Sequence, residues 1–202
     1  MFEDLRHIVF PVILAVMAAF MLAVGLRGVV TRRPFLVSAR WLLIVMLLGF
    51  LPNLILPFTF QTSRGGAAEL LMRWAGPALF VVMAVMFWII MRGQIVFGVT
   101  ADSLRAGLFA SLRGLELPHE ETLGGVRLPT VPADLQVAVQ SWVGTAQIKA
   151  RDRAAAPVLE DVTRGMRAYF GSTAVHVNLT CCVFYVVVGV MLVGLDVALI
   201  TM

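Results

Sequence analysis

The chain has 202 residues, 60% of them hydrophobic and 14% charged, with a formal net charge of +4. Soluble domains carry about 25% charged and about 45–50% apolar residues. The gap excludes a disordered chain, a basic nucleic-acid-binding domain and a simple cytosolic enzyme, and it points to an integral membrane protein with the lipid bilayer as its first partner.

The first apolar run covers 8–26 and holds no charge. Its 19 residues match a bilayer core of about 30 Å at about 1.5 Å per helical residue. The start carries Glu3 and Asp4 against Arg6, whereas a cleaved signal peptide opens on basic residues and has a shorter apolar core. The run therefore reads as a retained helix. Further runs at 41–60, 74–91 and 177–195 complete four expected spans. Three of them fall in 1–91 and the fourth in a closing segment, 172–202. Trp41 and Trp74 stand at span ends, as interface anchors do. Ala18, Gly25, Gly189 and Gly194 are small enough to let helices touch.

The loop after the first run holds Arg27, Arg32, Arg33 and Arg40 and no acidic residue. Such loops stay cytoplasmic, and these four arginines suit anionic lipid headgroups. Both termini then lie outside, and 92–171 is cytoplasmic. Only Lys149 is a lysine among 16 basic residues, a bias of GC-rich bacterial genomes, so the expected site is a bacterial inner membrane crossed several times. The stretch Pro52-Asn53-Leu54-Ile55-Leu56-Pro57 can interrupt the second span and free backbone carbonyls, as transporter ion sites do. A kinked helix end is the plainer reading.

Residues 92–171 change character. A β-prone run at 94–99 precedes Thr100, a helix cap with Asp102 at the positive helix end. Leu104, Leu108 and Leu112 make one apolar stripe, and Gly114 is the expected helix stop. A second strand is expected at 122–128. Leu135, Val137 and Val139 alternate with Gln136 and Gln140, and Ala146, Ile148 and Ala150 with Thr145, Gln147, Lys149 and Arg151; with Gly144 between them, the two runs predict a hairpin. Pro157 suits the first turn of a last helix, with Leu159, Val162, Met166 and Tyr169 on one face and Glu160 placed to pair with Arg164.

The expected architecture is a membrane all-α four-helix bundle with an inserted small α+β cytoplasmic module, β-α-β-β-β-α, of ferredoxin-like or related sandwich type. Its open sheet face would carry Gln136, Gln140, Trp142, Gln147, Lys149 and Arg151, the expected contact surface for a partner or ligand.

Signals for chemistry are sparse. His119, Glu120 and Glu121 form the richest acid–base cluster, but no HExxH or spaced cysteine pair accompanies it. Gly93–Gly98 lacks the spacing of a phosphate loop. Cys181 and Cys182, adjacent in an apolar run, read as small buried hydrophobes. No cofactor, metal or nucleic acid is expected. The function that follows is non-enzymatic: a tethered module that binds a protein partner, a second copy or a small ligand, as an accessory subunit or sensor. Two alternatives remain, an oligomeric channel or small-solute transporter using Pro52–Pro57, and a membrane-bound enzyme acting on lipid through His119 or Glu121.

Overall fold

The structure is a computed structural model and describes residues 2–59, 67–122, 124–129, 133–152 and 155–201. The described elements are, in chain order, α1 (Phe2–Thr31), β1 (Phe35–Ser38), α2 (Ala39–Thr59), α3 (Ala67–Ile90), β2 (Gln94–Phe97), α4 (Ala101–Gly114), β3 (Glu120–Thr122), β4 (Gly125–Leu128), β5 (Ala133–Gln140), β6 (Thr145–Ala150), α5 (Ala156–Ser172) and α6 (Thr180–Thr201). They form two compact units. One comprises Met1–Leu22, Arg40–Arg92 and Val188–Met202, the other Ala23–Ala39 and Gly93–Val187.

Two expectations are corrected here. Among the described residues, two helices are long and apolar enough to cross a membrane, over Val9–Thr31 and Thr180–Thr201, so the four-helix bundle does not stand. The described apolar stretches of α2 and α3 are Ala39–Leu51 and Trp74–Ile90. Helix α2 runs continuously through Ala39–Thr59, so Pro52 does not interrupt its backbone. The side chains of Asn53 and Pro57, and residue 60 at the end of the second run, lie outside the described residues.

The ferredoxin-like module is the second correction. The sheet has six strands in the order β1-β2-β6-β5-β4-β3, and every neighbouring pair is antiparallel. A ferredoxin-like sheet has four strands and its split β-α-β units set another strand between the two that a helix joins, whereas here β3, β4, β5 and β6 lie side by side in chain order within a sheet of six. Two strands were also missed. β1 is a four-residue apolar run inside the arginine-rich loop. The strand expected at 122–128 is instead two short strands, β3 and β4, with Thr122 opposite Gly125. The expected hairpin is present as β5 and β6, with Leu135 opposite Ala150 and Gln140 opposite Thr145.

The register assigns the two faces of the sheet. Leu36, Val96, Val126, Leu128, Leu135, Ala146 and Ile148 point to one side and enter the core with α4 and α5. The α4 stripe Leu104, Leu108 and Leu112 is at most 3% exposed, and Val162, Met166 and Phe170 of α5 at most 1%. The two helices are joined by a buried hydrogen bond from Ser111 Oγ to the Val162 carbonyl, 2.7 Å. Thr100 caps α4 in a reciprocal box with Ser103. The helix ends at Gly114, as expected, with Leu115 as its C-cap, and Glu116 takes the left-handed conformation. Pro157 occupies the first turn of α5, as expected.

On the opposite face, Phe35 stacks on Phe97 at 5.4 Å between ring centroids. Both rings are buried. Tyr185 of α6 packs on Phe97 at 5.7 Å, and the Arg27 guanidinium of α1 lies over Phe35 at 5.2 Å. The end of α1 and the start of α6 thus cover the β1–β2 end of this face. They approach closely because Gly25 and Gly28 lack β-carbons: one at Gly28 would lie 2.2 Å from Cys182 Sγ. Cys181 and Cys182 are buried, as the sequence indicates.

In the other unit, Ile13, Ala18, Leu42, Leu43 and Val45 are buried. Gly189 meets Leu22, its would-be β-carbon 2.7 Å from Leu22 Cγ. Gly194 has open space beside it.

Two outcomes follow, both read as the midpoint at which a thiol-reactive dye labels Cys181 and Cys182 during heating in detergent. Ile148→Ala leaves a cavity at the sheet centre and lowers stability by about 2–5 kcal/mol. Gly28→Ala overpacks the helix contact by about 1–3 kcal/mol, and adding Cys182→Ala restores part of the loss.

Candidate functional site

The strands that build the candidate face follow from simple alternation. In β5 and β6 Leu135, Val137, Ala146, Ile148 and Ala150 turn to the core, which sends the polar set to the other side, while Val139 at the end of β5 is left exposed. Gln136 stands opposite Lys149, Ala138 opposite Gln147 and Gln140 opposite Thr145. Cross-strand partners of this kind are about 5 Å apart at Cβ, so three amides and an ammonium group form one continuous patch. Ala138 and Gln140 are exposed, and Gln136, Gln147 and Lys149 are half-buried among their neighbours. Thr145 Oγ1 donates to Gln140 Oε1 at 3.3 Å.

Arg151 continues the same face just beyond β6. Its backbone N–H donates to the Asp134 carbonyl at 2.9 Å, and its guanidinium pairs with the Asp134 carboxylate at 3.5 Å. Both groups are exposed, and pairs of this kind stabilise by about 0–1 kcal/mol. Trp142 departs from the patch. It lies in the turn between β5 and β6 and is 82% exposed. The structure therefore brings Gln136, Gln140, Gln147, Lys149 and Arg151 together and places Trp142 at their edge.

The register adds residues the sequence reading missed. Arg127 stands opposite Asp134 on one side and Glu120 on the other, so it shares the face with Gln136. The signal was the two-residue spacing of Gly125 and Arg127, but two short strands around Gly124 conceal it.

The four arginines of the 27–40 segment divide. Arg27 is engaged over Phe35. The Arg33 guanidinium donates to the Gly171 carbonyl near the end of α5, where a cation complements the helix dipole. Arg32 directly follows α1 with φ +48, and its N–H donates to the Gly28 carbonyl at 3.0 Å. Arg32 and Arg40 are exposed.

His119 and Glu121 are each engaged by different neighbours. The His119 Nδ1–H donates to the Leu117 carbonyl at 3.1 Å, and its ring stacks on Phe109 at 5.0 Å. Glu121 is ion-paired with Arg105. A cavity of about 530 Å³ lies instead at the start of α4, lined by Thr100, Asp102, Ser103, Val175 and His176. Its hydroxyls are committed locally: Ser103 Oγ accepts from the Thr100 N–H at 2.9 Å, and Thr100 Oγ1 accepts from the Ser103 N–H at 3.2 Å. The Ser103 hydroxyl donates in turn to the Thr100 carbonyl at 3.2 Å, so it completes the capping box. Among the described residues, no group of three or more His, Cys, Asp or Glu comes together.

Comparison with family models, with curated proteins and with solved structures finds no match to this chain.

Replacing Thr100 tests the reading of that cavity as a capped helix start. Thr100→Ala should cost about 1 kcal/mol of stability, while Thr100→Ser, which keeps the hydroxyl, stays close to the parent in a detergent melt.

Proposed function

We propose that this protein is a bacterial inner-membrane protein whose antiparallel sheet module binds a partner protein or small ligand on its open face, as an accessory subunit or sensor. The observation that carries the reading is the unequal treatment of that face. Its apolar end, Phe35 and Phe97, is covered by the turns of α1 and α6. Its amide-rich end, Gln136, Gln140, Gln147 and Lys149, remains accessible. Gln136 and Gln147 lie beside the Lys149 ammonium group, and Gln140 lies further along β5, a row of polar groups with little net charge. Such a patch suits recognition of polar groups, peptide backbone included, and it holds no nucleophile with an adjacent base.

The membrane part of the proposal rests on α1 and α6. Only 6% of the most apolar window of α6, and 22% of that of α1, is buried within the protein. A core helix of a soluble protein buries most of its surface. An apolar helix left this bare finds its solvent in lipid. With the arginines of 27–40 on the cytoplasmic side, α1 and α6 cross in opposite senses. Both termini lie outside, and the sheet lies in the cytoplasm.

The test is a photocrosslinking residue placed at Gln136, with the same residue at exposed Arg113 of α4 as control. In intact cells the Gln136 probe should give a discrete adduct that weakens when Lys149 is changed to Glu. Equal, diffuse labelling from both positions would remove the binding face. Impermeant thiol labelling of an Ala138→Cys variant should require permeabilised spheroplasts, and labelling of intact ones would invert the topology.

A further inference from the structure

The turn between β5 and β6 is Ser141-Trp142-Val143-Gly144, and it is fastened at both ends to the beginning of α6. The Asn178 side-chain amide donates to the Ser141 carbonyl at 2.7 Å. The Cys181 N–H donates to the Val143 carbonyl at 2.9 Å. Asn178 Oδ1 in turn accepts from the Thr180 N–H at 3.1 Å, which satisfies one of the free N–H groups at the start of the apolar helix. The Gly144 carbonyl accepts from Gly98 at 2.8 Å and Val99 at 3.1 Å. Gly144 itself has φ +78, and a β-carbon there would lie 2.4 Å from the Asn178 carbonyl. One side chain between these fastenings is held out: Trp142, at 82% the most exposed large hydrophobic among the described residues.

We infer that Trp142 is a membrane-interface anchor, seated in the lipid headgroup layer beside the entry of α6. This rests on the proposal that α6 spans the bilayer. The exposed apolar surface of α6 begins at Val183 and Phe184, 50% and 60% exposed, two residues past the Cys181 bond. The change from capped, polar backbone to bare hydrocarbon marks the headgroup level, and the turn is hydrogen-bonded at that level. Tryptophan suits it because the ring is apolar and the indole N–H still needs a polar partner. In water the indole would leave a large apolar area exposed with no neighbour to cover it. The occupant is a lipid surface, favoured over a protein because the turn is continuous with the span.

The experiment uses the full chain in phosphatidylethanolamine–phosphatidylglycerol liposomes. Trp41, Trp74 and Trp88, which are about equally exposed at 60%, 58% and 60%, are changed to Phe, so that Trp142 is the sole tryptophan. Lipids brominated near the headgroup should quench its emission more than lipids brominated deep in the chains. The emission should be blue-shifted relative to free tryptophan, with little quenching by aqueous iodide. In the parent background, Trp142→Ala should remove a shallow-quenched component. Red-shifted emission quenched by iodide and not by brominated lipid overturns the inference. So does protection from both quenchers, which would mean that protein covers the ring. A parallel chain with all four tryptophans changed to Phe and Val190→Trp separates the two proposals. If the Val190→Trp probe is quenched by deep bromines and Trp142 is not quenched by lipid, only the anchor fails. If neither responds to lipid, the spanning reading fails with it.

Discussion

At Gly28 the last turns of α1 come so near the first turn of α6 that the Cys182 sulfur occupies the place of a β-carbon. Much of the sheet-bearing unit depends on that closeness. With the helices in contact, Arg27 reaches over Phe35 and Tyr185 reaches Phe97, and the stacked rings are sealed from water. Burying one phenylalanine side chain is worth about 1.5–3 kcal/mol, so the pair is a large share of what holds β1 at the edge of the sheet. A bulkier residue at 28 would part the helices and uncover both rings together.

The same sheet face is apolar under these helices and polar beyond them. The register makes this unavoidable: Phe97 is paired with Thr145 and Ile95 with Gln147, so each rung carries the apolar β2 residue and the polar β6 residue on one side. Sheets that face protein on one side and water on the other usually alternate along each strand. Here the change also runs across the strands, from aromatic at β1 to amide at β5. The change from apolar to polar falls between β2 and β6.

Much of this was legible in the sequence, and the failures have identifiable causes. Leu104, Leu108 and Leu112 announced the buried face of α4, and the alternation in 135–151 gave the hairpin with its polar side. These signals are local, set by the periods of the helix and the strand. β1 was hidden because the arginines around Phe35–Ser38 dominated that loop, and its partner lies beyond two apolar helices. Hydropathy alone suggests four spans because it adds up apolar residues along the chain, while among the described residues two helices are both long and apolar enough to cross a membrane. The cluster at His119 looked chemical in one dimension, and the fold spends its groups on Phe109, Leu117 and Arg105. The fastening of Ser141 and Val143 to Asn178 and Cys181 joins residues more than thirty positions apart, and nothing in either segment alone indicates it.

Ser38 pairs with Gln94, and the Ala39 N–H donates to the Gly93 carbonyl at 3.2 Å, so α2 and α3 leave the sheet and return at a single rung. β1 therefore emerges from the ribosome well ahead of its one neighbour. Until β2 has been translated, Phe35 and Leu36 have no ladder to join, and closing the loop between the strands carries an entropy cost that grows with its length. Two apolar helices must therefore be made before the first-translated strand meets its partner, and β2 must wait longer still for its second neighbour, β6.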